Sequence, residues 1–170
     1  NRGIDELVEA FDLIRRKHKD VRLRLIGPNM PSRIKSTRIT IEKDKYYGQM
    51  PQIYSEAYMC VYAPQKNPYM DSGLPIKLFD SMAAARPVVV NNCFETQQLI
   101  EKEKCGIITA NNASRLLAEA IDYLLSNPKV AEEMGIKGRE AIEKRHSWNC
   151  RARTIKHFLR NYQATKQSHN

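Results

Sequence analysis

The sequence predicts an α/β fold: a parallel sheet with helices on both faces. Three observations predict it. Apolar spacing switches along the chain between the period of a strand and that of a helix, so strands alternate with helices. The apolar runs are short and end at Gly or Pro, as buried strands do. The chain has 170 residues, 42% hydrophobic and 28% charged, which fits one ordinary globular domain without internal repeats.

The elements follow in order. Residues 4–17 read as an amphipathic helix, because Ile4, Leu7, Val8, Phe11 and Ile14 recur at helical spacing. Residues 21–26 alternate Val21, Leu23 and Leu25 with Arg22 and Arg24, then stop at Gly27-Pro28, as a strand and turn. A second alternating strand covers 37–41, and a short helix covers 51–57. Residues 58–63 form a buried strand that ends at Pro64. A polar loop at 65–73 leads to a helix at 75–85. Pro75 takes its first position, where a missing N–H has no helical partner to lose. A strand at 87–90, a helix at 96–101 and a strand at 106–109 come next. The helix at 113–125 carries Leu116, Leu117, Ala120, Ile121, Leu124 and Leu125, with Asn112 as cap and Asn127-Pro128 as stop. Residues 130–144 are helical. A last helix sets Trp148, Ala152, Ile155, Leu159 and Tyr162 on one stripe, with Trp148 expected as a core anchor. The tail after Ala164 is expected to be disordered.

The first element is a helix and the first residue is Asn1 rather than Met. We therefore expect a fragment whose first strand lies upstream. No apolar run approaches the roughly 18–20 residues that span a bilayer, and no signal peptide opens the chain. Cys60, Cys93, Cys105 and Cys150 form no CxxC pair and no zinc spacing. Cys60 and Cys105, in or beside apolar stretches, read as small core residues in a reducing, cytoplasmic compartment, and no metal site is expected.

Lys plus Arg is 28 and Asp plus Glu is 19, a net charge of +9 that favours anionic partners. Phosphates, nucleic acid and an anionic membrane surface all qualify. Much of the surplus lies near the C-terminus, in Lys137, Arg139, Lys144, Arg145, Arg151, Arg153, Lys156, Arg160 and Lys166. A solvated basic helix face explains it equally well.

The segment 63–91 carries the chemistry: APQKNPYMDSGLPIKLFDSMAAARPVVVN. Its order is strand end, loop, Gly, Pro, helix, tight turn, strand. Ligands of doubly wound sheets bind at the carboxyl ends of strands. A helix N-terminus there offers free N–H groups and partial positive charge, which suit a diphosphate. Ser72 and Gly73 let backbone approach a phosphate closely. Lys77 lies in the first helical turn, where a cation opposes the helix dipole unless an anion compensates it. Asp80, three residues on, shares its face and suits a ribose diol. The same two residues also fit a surface ion pair.

The pattern S-G-L-P-I-K-L-F-D-S-M-A-A-A-R-P-V-V-V resembles a segment of the retaining GT-B glycosyltransferases of family 4. There it usually reads glycine, proline, lysine-leucine-phenylalanine-glutamate, tyrosine-methionine-alanine, then glycine-x-proline-valine-valine. The resemblance extends in order over nearly the whole chain. It takes in Arg2-Gly3-Ile4-Asp5, the strand at 23–27, the segment 54–64, Cys105-Gly106-Ile107-Ile108, the helix at 116–125 and the stretch from Met134-Gly135 to Ser147-Trp148.

The resemblance implies a fold and a set of roles. The fold is the Rossmann-like C-terminal half of a GT-B glycosyltransferase. Residues 1–164 would form the nucleotide-sugar (donor) binding domain and 165–170 a disordered tail, with the N-terminal acceptor domain outside this chain. Asp80 stands at the second glutamate of the family's two-carboxylate motif, which binds the ribose. The first glutamate position is Ser72, a departure for which the neighbouring Asp71 is a substitute. Arg2 stands where a lysine contacts the diphosphate. Ser72, Gly73 and Leu74 fall in the loop whose amides meet phosphates, with Lys77 as a further partner. Met30, in the loop after a strand, would pack on the base. The donor would be a UDP-, GDP- or ADP-sugar, with no cofactor or metal. General-base chemistry would sit mainly on the acceptor domain, so the fragment alone should not turn over.

Two other readings are open. One is a non-catalytic nucleotide- or nucleic-acid-binding module, supported by the charge but lacking interleaved aromatics and helix-turn-helix or zinc-finger spacing. The other is a glucuronosyltransferase-like branch of polysaccharide biosynthesis, acting on lipid-linked acceptors at the cytoplasmic membrane face. The basic C-terminal helix would then suit anionic lipid. His18, His146, His157 and His169 read as surface or cap residues, and Tyr46-Tyr47 as cleft lining or sheet cover.

Overall fold

The structure is a computed structural model that describes residues 3–28, 34, 36–43 and 46–167, with side chains to residue 162. Helix α1 (Ile4–Lys17) has Asp5 and Glu6 in its first turn and Arg15, Arg16 and Lys17 in its last, both favourable to the helix dipole. Gly3 precedes it with φ of 71°, and a Cβ there would lie 1.5 Å from the Ala63 carbonyl oxygen. Only glycine lets the backbone pass at that spot. His18 ends the helix, its N–H bonded to the Ile14 carbonyl, and its ring meets Asp122 at 2.6 Å.

Strand β1 (Leu23–Ile26) pairs in parallel with β2 (Ile39–Glu42). A 3₁₀ turn (Tyr47–Gln49) and α2 (Met50–Glu56) lead to β3 (Cys60–Tyr62). Next come α3 (Pro68–Asp71), α4 (Ile76–Ala83), β4 (Val88–Asn91), α5 (Phe94–Glu103) and β5 (Gly106–Thr109). Strands β3, β4 and β5 form a parallel sheet in that order. Helices α6 (Ser114–Ser126) and α7 (Pro128–Ala141), a π-helical turn (Ile142–His146) and α8 (Trp148–Gln167) complete the chain. Among the described residues the two sheets share no strand pairing.

Central strand β4 is buried throughout, so its valines alternate between two cores. Val89 joins Ala10 and Ile14 of α1 with Leu117, Ile121 and Leu124 of α6. Val88 and Val90 join Leu78 and Met82 of α4 with Leu99 and Ile100 of α5. One sheet thus carries helices on both faces, as the sequence predicts.

Several expectations are corrected. The strands at 21–26 and 58–63 shorten to Leu23–Ile26 and Cys60–Tyr62. The loop 65–73 contains α3, capped by Asn67, whose side chain accepts from the Met70 N–H at 3.0 Å. Pro75 is the N-cap of α4 rather than its first residue, because its ψ of 129° is extended. Asn112 does not cap α6: it has φ of 53°, and the N-cap is Ala113. Helix α5 runs longer than 96–101, and the helix expected at 130–144 becomes π-helical after Ala141. The last helix passes residue 164 and reaches Gln167.

Two side chains depart most. Trp148 is 78% exposed, not a core anchor, and Ile155, Phe158, Leu159 and Tyr162 are exposed with it. Cys150, on another side of α8, is the residue turned to the body and buried. His146 is no surface residue: it is half-buried, 2.8 Å from Glu103 and tilted against Phe79 with ring centroids 5.8 Å apart.

Candidate functional site

The carboxyl ends of β3, β4 and β5 meet under the segment 64–75. Asn91, the last residue of β4, and Asn111, just after β5, hold this segment down. Asn91 is buried and donates to the Pro64 carbonyl at 3.0 Å and to Asn111 Oδ1 at 3.2 Å. Asn111 Oδ1 also accepts from the Lys66 N–H at 3.0 Å, and its amide donates to Asn92 Oδ1 at 2.6 Å. Thr109 Oγ1 donates to Asn91 Oδ1 at 3.1 Å. These amide hydrogen bonds tie the loop's entry to the ends of β4 and β5.

The loop's far side is fixed by Asp71. Its Oδ1 accepts from the Phe94 N–H at 2.9 Å, at the start of α5, and lies 3.8 Å from Lys66 Nζ. A carboxylate at a helix N-terminus satisfies a donor without an intrahelical partner and complements the dipole. Asp71 is therefore already engaged, which weighs against its replacing the carboxylate expected at Ser72. Ser72 itself bonds the Tyr69 carbonyl at 3.2 Å.

Ser72, Gly73, Leu74, Lys77 and Asp80 are brought together where this segment enters α4. Gly73 lacks a left-handed φ, and a Cβ there would meet only the Tyr69 carbonyl oxygen at 3.5 Å. The fold therefore does not demand glycine at 73. Lys77 is exposed in the first turn of α4. Asp80 is half-buried one turn on, and burial raises its pKa above the usual aspartate value. Arg2 and Met30 lie outside the described residues.

Below α4 lie polar groups that the sequence reading missed. The Tyr62 hydroxyl donates to the Lys77 carbonyl at 2.7 Å and meets Ser81 Oγ at 2.5 Å. Tyr54 is buried near it; burial, with the Asp80 charge adding to it, pushes the Tyr54 phenol up to about 12. A tyrosine ending an otherwise apolar strand was the available signal for Tyr62. The Asn91-Asn92 pair directly after a valine run was the signal for the asparagine cluster.

A recess of about 720 Å³ lies elsewhere, between α1 and Ile34, Ser36, Thr37 and Ile39. Asp5, Glu9 and Asp12 line it, and their carboxylates make it a poor seat for a phosphate. Tyr46 and Tyr47 are both exposed. Among the described residues no group of three His, Cys, Asp or Glu side chains could hold a metal ion, and no helix is long and apolar enough to cross a membrane.

Residues 1–127 match the protein family described as Glycosyl transferases group 1. An uncharacterized glycosyltransferase of Haemophilus influenzae is 23% identical over 145 residues, 81% of this chain and 40% of that protein. This chain therefore spans less than half the length of that relative. Among solved structures, Anabaena HepE in complex with UDP-glucose superposes with a TM-score of 0.79 at 14% identity, over 94% of this chain and 45% of that one. The C-terminal domain of a group 1 family glycosyl transferase, LpcC of Francisella tularensis, superposes with a TM-score of 0.71 at 17% identity, over 86% of this chain and 80% of that one. These likenesses establish the fold as that of the C-terminal half of GT-B glycosyltransferases.

Proposed function

This chain belongs to the group 1 glycosyl transferases, and from that premise we propose that it binds the nucleotide-sugar donor of a GT-B enzyme that transfers the sugar with retention. One observation carries the reading. The N-terminal end of α4 presents Lys77 and Asp80 on one face, at the carboxyl edge of a parallel sheet, behind a loop tied down by Asn91, Asn111 and Asp71. That HepE is described in complex with UDP-glucose supports a nucleotide sugar as the ligand class.

In this reading the Gly73 and Leu74 amides, the start of α4, Lys77 and Arg2 stabilise the diphosphate as it leaves the anomeric carbon and gains negative charge. Asp80 accepts two hydrogen bonds from the ribose diol, and Met30 packs on the base. No metal takes part, and catalytic groups for the acceptor come from a separate N-terminal domain. Product glycans of polysaccharide assembly are the proposed outcome, on a glycan or lipid-linked acceptor.

Titration of UDP, GDP and ADP into the protein tests this. One nucleotide should bind, and Lys77→Ala and Asp80→Ala should each weaken it at least about tenfold, since Lys77 loses one charge-assisted hydrogen bond and Asp80 loses two. Binding of none of the three to folded protein would remove the donor-site reading.

A second partner has its own observation. Trp148, Ile155, Phe158, Leu159 and Tyr162 form an exposed stripe on α8. The helix carries Arg151, Arg153, Lys156 and Arg160 and no Asp or Glu. An aromatic-aliphatic face with basic flanks is the chemistry of a helix lying on anionic lipid, and we propose such a surface as its partner.

A further inference from the structure

Tyr62, the last residue of β3, lies beneath the first turn of α4. Its ring packs against the cluster of Leu78, Met82, Val88 and Val90. Its hydroxyl donates to the Lys77 carbonyl at 2.7 Å, and Ser81 Oγ reaches the same carbonyl at 2.9 Å. The Lys77 ammonium stands 5.7 Å from the centroid of the Tyr62 ring. Tyr62 therefore meets Lys77 twice, at its peptide and at its charge.

The backbone contact is more than helix maintenance. A first-turn carbonyl already has a helical acceptor role toward the residue four positions on. The peptide that accepts from Tyr62 also donates: the Leu78 N–H bonds the Pro75 carbonyl at 3.0 Å. A chain thus runs from the Tyr62 hydroxyl through the peptide joining Lys77 and Leu78 to Pro75, each bond polarising the next. Burial keeps the Tyr62 phenol well above the usual tyrosine range, so it remains a neutral donor at every physiological pH.

The ring contact addresses a different cost. A lysine side chain loses much rotamer freedom when it is immobilised on a phosphate. An ammonium already resting near an aromatic face has part of that freedom removed before the ligand arrives.

We propose that Tyr62 is a positioning residue of the donor site: its hydroxyl fixes the Lys77 peptide, and its ring holds the Lys77 ammonium ready for a phosphate. This rests on the reading of the α4 N-terminus as a diphosphate site.

The test is a double-mutant cycle read by titration of UDP, GDP and ADP into wild-type protein, Lys77→Ala, Tyr62→Phe, Tyr62→Leu and the double variant Tyr62→Phe/Lys77→Ala, with thermal unfolding of each. Tyr62→Phe keeps the ring and should leave the protein folded. It should weaken the bound nucleotide about two- to tenfold, and Tyr62→Leu should weaken it further. In the Lys77→Ala background the Tyr62→Phe effect should disappear, because the two residues act as one unit. A residue that only packs would lower the melting temperature and cost the same affinity with or without Lys77. That additive result, or wild-type affinity in both Tyr62 variants, overturns the proposal while the donor site stands. If Lys77→Ala binds as wild type does, or no nucleotide binds folded wild-type protein, the donor-site reading fails and Tyr62's role fails with it.

Discussion

In the proposed donor site, Asp80 serves the ribose diol from a position that burial makes costly for its charge. It is half-buried, and desolvation raises its pKa above the ordinary aspartate value of 3.8. A carboxyl whose folded pKa lies above its unfolded pKa favours the fold fully below the unfolded value, and loses that contribution as pH rises through the folded value. At neutral pH the charged Asp80 is thus mildly unfavourable to the fold. In the proposed site, nucleotide binding needs that charged form to accept the diol's hydrogen bonds. Affinity should therefore fall as pH drops through the raised pKa, an onset earlier than an exposed aspartate would give. Asp80→Asn should bind about tenfold more weakly at neutral pH, show no such titration, and melt no lower than wild type. An affinity profile flat in pH for wild type, over a range where the protein stays folded, would refute the ribose role.

At the scale of elements, the π-helical turn after α7 does what an α-helix cannot. Arg145 and His146 are adjacent, and neighbours on an α-helix do not face one point. Here both reach Glu103 at the end of α5: Arg145 Nε at 3.2 Å, His146 Nε2 at 2.8 Å. The Glu103 side chain is only 2% exposed, so its charge depends on these partners. The Arg145 hydrogen bond, with His146 adding to it, holds the Glu103 carboxyl below the usual glutamate range. Its contribution is therefore present above the unfolded value of 4.5 and lost as pH falls through the lowered folded pKa. Glu103→Gln should cost about 1–3 kcal/mol at neutral pH. Urea unfolding should show this as a lower midpoint at unchanged slope, and the difference from wild type should shrink in acid. The sequence could not show this cluster, because its members are about forty positions apart and the π turn has no spacing signature. Elements with strong periodicity were legible: α1 and β5 have the bounds the sequence predicts. Caps were less so. Asn112 looked like a cap but adopts a left-handed turn, and the carboxylate serving α5 comes from Asp71, a distant residue that no local pattern could nominate. In the candidate site, Ser72, Gly73, Leu74, Lys77 and Asp80 were legible as one contiguous motif. Tyr62, Asn91 and Asn111 carry only faint local signals, since they lie in or just after three different strands and join only when the sheet forms.

At the scale of the whole molecule, the last helix poses the remaining question of what covers it. The apolar spacing on α8 predicts burial, yet periodicity reports only that a face is apolar, not what lies against it. Burial here involves Cys150, while the aromatic stripe faces outward. The chain's single tryptophan, Trp148, stands on that stripe at 78% exposure and reports on it directly. In dilute solution its fluorescence should have a solvent-like maximum and be readily quenched by acrylamide. Vesicles of phosphatidylcholine with phosphatidylglycerol should shift the emission to the blue and protect it from quenching, whereas pure phosphatidylcholine should do so weakly. Added salt should reverse the effect, since the attraction of Arg151, Arg153, Lys156 and Arg160 to lipid phosphates is screened. Phe158→Glu, which places a charge on the stripe, should abolish the shift without changing nucleotide binding. A blue shift that instead rises with protein concentration and needs no lipid would mean that a second copy covers the stripe. No lipid response, with emission solvent-like at every protein concentration, would remove the membrane proposal outright.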